Sequence, residues 1–130
     1  MSMDPKNTDR GAVVTLTAAG SGTVTSADLQ NVTGAGVSVV IDITAITGTS
    51  PTLVVKVQGK DVASGKYFDL ITSATLSATG TTRLRIYPGI IQTGTNTFVS
   101  DVVPEWYRIS YTIGGTSPAV TATIGACTQL

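Results

Sequence analysis

More than a third of this chain is β-branched, with 23 Thr, 15 Val and 10 Ile among 130 residues. Two heavy groups on Cβ stiffen χ1, which disfavours a helix slightly and suits a pleated surface. The order of these residues matters as much as their number. The stretch "GVSVVIDITAI" puts Val37, Val39, Ile41, Ile43 and Ala45 on alternate positions, with Ser38, Asp42 and Thr44 between them. A period of two over such a length describes a strand wet on one face. The pattern recurs in "VTLTA" (Val14–Ala18), "TLVVKVQ" (Thr52–Gln58), "YFDLIT" (Tyr67–Thr72), "TTRLRI" (Thr81–Ile86), "WYRISYTI" (Trp106–Ile113) and "AVTATIGA" (Ala119–Ala126). The expected fold is all-β: a β-sandwich of eight or nine short, mainly antiparallel strands, Ig-like or jelly-roll-like, with a partly open barrel as the alternative.

A chain of this length fits one domain with one core. Residues 11–130 are assigned to that domain, and the polar start "MSMDPKNTDR" (1–10) to an extended, unpacked arm. That start lacks the apolar core of a signal peptide, and no apolar run is long enough to span a membrane. Between the first strands, "TSADLQN" (Thr25–Asn31) reads as a helical turn with Thr25 or Ser26 as its cap.

Two loops share a spelling. "GTSP" follows one apolar run at Gly48–Pro51 and another at Gly115–Pro118. Gly allows an unusual backbone, Thr and Ser bond the local main chain, and Pro fixes φ before the next strand. Each copy therefore predicts a hairpin, in which "WYRISYTI" turns back into "AVTATIGA" and "VVIDITAI" into "TLVVKV". A longer hairpin is expected from Thr52–Gln58 through the loop "GKDVASGK" to Tyr67–Thr72, and Pro88-Gly89 marks a turn. "FVSDVVP" suggests a short edge strand ended by Pro104.

The residues that carry chemistry are few: no His, one Cys, seven Asp and one Glu. General acid–base and nucleophilic catalysis need tunable groups close together, so an enzyme is not expected. Asp61 and Asp69 lie among Lys56, Lys60 and Lys66 and read as a solvated, charge-balanced loop. Asp101 and Glu105 bracket "VVP" and fall short of the ligand number a calcium ion takes. "GKDVASGKY" has the wrong spacing and flanks for a phosphate loop. Cys127 reads as a small buried hydrophobe, and "NVT" (Asn31–Thr33) as a chance match to a glycosylation acceptor. No cofactor or metal is implied. Eight basic against eight acidic residues give no global field toward nucleic acid or an anionic membrane, and neither is expected as a partner.

Four side chains stand out as a contact patch. Arg83 and Arg85 share one strand face, and Arg108 shares a face with Trp106, the only tryptophan. Arg and Trp are favoured interface anchors. Tyr67, Tyr87, Trp106 and Tyr107 are the aromatics available as sugar-binding platforms.

The pairing of "VVIDITAITGTSPTLVVKVQGKDVASGKYFDL" with "WYRISYTIGGTSPAVTATIGA" resembles small virion structural proteins of tailed bacteriophages and prophages. In those chains a strand ending in a GTSP-like loop precedes a strand ending in QG, then a YxDL-like strand, and an aromatic/Arg strand leads to the second GTSP-like loop. The match spans Val37 to Ala126. The resemblance implies a virion component made in the host cytoplasm, foremost a capsid decoration or cement protein on the outside of the head. It implies the major capsid protein or other virion proteins as partners, and homo-oligomeric or lattice-associated copies. A minor tail or head-completion protein and a carbohydrate-binding adhesive module are the alternatives. The expected partner-binding positions are Pro5, Lys6, Arg10 and Val13 in the arm and its continuation, and Arg83, Arg85, Trp106 and Arg108 on the patch.

Overall fold

The computed structural model describes residues 11–31, 36–90 and 97–129, and these form no helix. Among the described residues, eight strands make one curled, mixed sheet: β1 (Gly11–Ala19), β2 (Gly22–Thr25), β3 (Leu29–Gln30), β4 (Gly36–Lys60), β5 (Tyr67–Thr72), β6 (Gly80–Ile86), β7 (Phe98–Val99) and β8 (Trp106–Gln129). All pairings are antiparallel except that of β6 with β7. The all-β class and most strand positions follow the alternation of the sequence. The segment expected as a helical turn does not form one. Leu29 and Gln30 instead pair with Tyr107 and Trp106, because strand bonding to β8 offers those backbone groups a partner that one isolated helical turn would not.

The strands are not uniformly short. β4 has 25 residues and β8 has 24, and they pair along nearly their whole length, from Gly36 with Gln129 to Gly59 with Tyr107. Both GTSP segments lie inside these strands, and neither closes a hairpin. "TLVVKV" pairs with "WYRISYTI", and "VVIDITAI" with "AVTATIGA", so each run finds its partner in the other copy. The two segments meet with Thr49 opposite Thr116, flanked by register shifts between Thr47 and Thr49 and between Thr49 and Thr52.

The conformations at this meeting point match. Gly48 and Gly115 have φ of +121° and +112°, and Ser50 and Ser117 have φ of +49° and +47°. A β-carbon on Gly48 would lie 2.8 Å from Pro118 Cα and 2.8 Å from the Ser117 carbonyl oxygen; one on Gly115 would lie 2.9 Å from Pro51 Cα and 2.7 Å from the Ser50 oxygen. Each glycine is pressed against the other copy's Ser-Pro backbone. The repeat thus builds a local two-fold corner, where both long strands change direction together. Chemistry suited to a hairpin serves equally for a bend inside a paired strand, because both need φ > 0 and a compact side chain.

Beyond the corner, the two halves of the β4–β8 ribbon take different neighbours. The first half of β4 and the second half of β8 are flanked by β6 and β1, and the other halves by β5 and by β2 and β3. One face of both halves is apolar and gathers into one cluster: Val39, Ile41, Leu84 and Ile124 from the first, Leu53, Val55, Val57 and Ile109 from the second, each at most 1% exposed. A sheet reaches such burial without helices by curling its apolar face inward. β5 approaches β6 and β7 across the curl. Ala45, expected in line with Ile43, is exposed, because the register shifts between them.

Candidate functional site

Outward-facing positions of the second half carry a connected network of polar side chains. Lys56, Gln58 and Lys60 alternate with buried Val55, Val57 and Gly59 on β4, and Trp106 and Arg108 flank buried Tyr107 on β8. The register sets Gln58 opposite Arg108 on one side and Asp69 on the other, with Lys60 opposite Tyr67. Arg108 Nε donates to Gln58 Oε1 at 2.8 Å, and Gln58 Nε2 donates to Asp69 Oδ1 at 2.9 Å. Lys56 Nζ completes that end 3.3 Å from Asp69 Oδ2.

At the other end the Arg108 guanidinium stacks 3.5 Å from the centroid of the Tyr67 ring. The Tyr67 hydroxyl donates to Asp28 Oδ1 at 2.6 Å, and Lys60 Nζ lies 2.9 Å from Asp28 Oδ2. The Tyr67 hydroxyl, followed by Lys60, holds the Asp28 carboxyl below its ordinary 3.8, and Asp28 in turn raises Lys60. Gln58, then Lys56, lowers Asp69. Asp69 is exposed and balanced by Lys56, as expected, but it lies on β5 rather than in the loop and is held by Gln58 as well. Asp61 braces its own loop by accepting from the Ser64 hydroxyl at 2.7 Å and the Ala63 amide at 3.3 Å, which lowers its carboxyl.

The four patch residues are divided between the halves. Arg108 and half-buried Trp106 sit against β3 and the end of β4. Arg83 and Arg85 sit on β6, opposite Val40 and Ser38 at the start of β4. Arg83 Nε donates to Ser38 Oγ at 3.1 Å. The two pairs therefore present separate surfaces. Arg83, Arg85, Ser38, Tyr87 and the Pro88–Ile90 turn border an open groove of about 370 Å³. The turn at Pro88-Gly89 is as expected, with Gly89 at φ +79° and the Ile90 amide donating to the Tyr87 oxygen at 3.3 Å.

Of the arm positions, Pro5, Lys6 and Arg10 lie outside the described residues, and Val13 is a backbone rung of β1 opposite Gly125. Cys127 is exposed, not buried: strand alternation puts Ala126 and Thr128 inside and the thiol outside. Tyr107 is 1% exposed and belongs to the core, so it offers no platform to a sugar. Asp101 caps the neighbouring Val102 amide at 2.8 Å, while Glu105 accepts from Gln30 Nε2 at 3.0 Å. Among the described residues no three His, Cys, Asp or Glu side chains come together as a metal site.

No family model, curated protein or solved structure matches the chain. Its surfaces must therefore be read from their own chemistry. Sequence reasoning missed Asp28 and Gln58, which tie three strands into the polar network. The available signal was Gln58 and Lys60 alternating on the wet face of a strand that leads into a Tyr-containing partner.

Proposed function

We propose that this chain is a non-enzymatic structural protein of a phage virion, most concretely a capsid decoration protein seated on the outside of the head. The observation that carries the reading is the resemblance over Val37–Ala126. Its motifs fall on the β4–β8 ribbon and β5, with both GTSP segments in one reciprocal corner. What resembles virion proteins is thus a scaffold, and a scaffold repeated over a lattice gains affinity through many weak contacts. The same reading takes the curled sheet as a two-layer sandwich, each layer built on one half of the ribbon and sharing the single apolar cluster.

Its partners on this reading are the major capsid protein or other virion proteins, contacted through the arm, through strand edges, or through the arginine-bearing surfaces. The test is quantitative peptide mass spectrometry of phage particles purified from the source strain. Copies comparable in number to the major capsid subunit support decoration. A handful per particle moves the chain to the tail or portal vertex, and absence from particles overturns the virion reading.

A further inference from the structure

We infer that the groove beside Arg83 and Arg85 is a carboxylate-binding site that takes an extended acidic segment of a partner protein. This deepens the proposed function and rests on the chain being a protein-binding component. Arg83, Arg85 and Tyr87 occupy alternate positions and so line one face of β6 and its continuation. Two guanidinium groups in succession repel, and nothing among the described residues neutralises them. The ion pairs there are Lys56 with Asp69 and Lys60 with Asp28, all in the other half. The register gives Arg83 two diagonal neighbours on β4, Ser38 and Asp42. Arg83 turns to the Ser38 hydroxyl, toward Arg85 and away from the carboxylate. Two cations are thereby gathered at one end of the strand.

The rim beside them is built before any partner arrives. Tyr87 stands over Gly36 so closely that a β-carbon there would collide with the Tyr87 ring and the Ile86 carbonyl. The Arg85 and Tyr87 amides donate to Thr97 and Val99 oxygens at 2.9 and 3.1 Å, and the Gly89 amide donates to Ser100 Oγ at 2.9 Å. A groove of about 370 Å³ is within the range of ligand sites, and this one combines apolar walls with a few converging polar groups. Guanidinium forks match carboxylates in bidentate geometry. Side chains two apart on a strand share the spacing of side chains two apart on another strand. A peptide with acidic residues at alternate positions therefore fits the two arginines together, its apolar neighbours lying against Pro88 and Ile90.

The experiment titrates the full chain, by ¹⁵N NMR, with a blocked pentapeptide bearing aspartates at its second and fourth positions, its asparagine counterpart, and inorganic phosphate. The expected result is saturable shifts at Arg85, Tyr87 and Gly89 with the aspartate peptide, at least tenfold weaker binding of the asparagine peptide, and a similar loss in Arg83→Gln and Arg85→Gln. Lys66→Gln, which removes an exposed cation on the loop between β4 and β5, is expected to bind as the wild type does. Equal binding of the two peptides, an equal loss in Lys66→Gln, or tighter binding of phosphate than of the aspartate peptide would overturn the assignment. Particle copy number tests the virion role separately, so failure of one reading is distinguishable from failure of the other.

Discussion

The Arg108 guanidinium lies 3.5 Å from the centroid of the Tyr67 ring, joining β8 to β5 across the intervening end of β4. A planar cation on an aromatic face contributes about 1 kcal/mol at a partly exposed site. Arg108→Lys keeps the charge but loses the flat stack and the Nε bond to Gln58. It is expected to lower unfolding free energy in urea by about 1 kcal/mol, and Tyr67→Leu is expected to abolish most of the difference between Arg and Lys at position 108.

Gly48 and Gly115 should be nearly equivalent. An alanine at either places its β-carbon under 3 Å from the opposite copy's backbone and forces a left-handed φ on a residue that resists it. Each substitution is expected to cost about 2–3 kcal/mol by urea unfolding, and the double variant less than the sum, because both relax one corner. Ser50→Gly is expected within about 0.5 kcal/mol of wild type, relief of the left-handed serine being offset by a freer unfolded chain.

Acid should act through Asp28. Its carboxyl is depressed below 3.8 by Tyr67 and Lys60. The stabilisation it brings is therefore full above the unfolded value and is lost as pH falls through the lower folded value. Asp28→Asn should be less stable than wild type at neutral pH, and the gap should close below pH 3.8. Urea midpoints measured across that interval check it; a gap independent of pH would rule out ionisation as the cause.

Alkali should act through Tyr107, whose phenol is pushed up to about 12, first by burial and then by the nearby Cys127. The folded state holds its proton while the unfolded state releases it near 10.0. Stability from this group is thus complete below that value and declines as pH rises toward 12. Absorbance titration of the folded protein should show a late-ionising tyrosine that disappears in Tyr107→Phe.

Alternation exposed the strands because side-chain parity is a local property: Val37, Val39, Ile41 and Ile43 had to share a face whatever lay beside them. The corner was misread because direction is not local. Gly48 and Ser50 declare an unusual backbone, but whether the chain reverses or bends depends on a partner far along it, here Gly115 and Ser117. The helical reading of Thr25–Asn31 failed for a related reason, since strand pairing with Trp106 and Tyr107 outweighed a weak local preference. Among site residues, the pairing of Arg83 with Arg85 was visible from their spacing. The stack of Arg108 on Tyr67 was not, because it requires the register of three strands.

The long ribbon also bears on how the protein is made. No rung between β4 and β8 joins near neighbours: Gly59 waits for Tyr107, and Gly36 for Gln129. On a ribosome, β4 emerges with its apolar face and one bonding edge uncovered, and stays so until a strand synthesised much later arrives. Folding dominated by such distant pairings is slow, and unpaired strands exposed meanwhile are open to wrong partners. Yield at high expression should therefore depend on the speed with which β8 follows β4, and slowing translation between them should favour aggregates over folded protein.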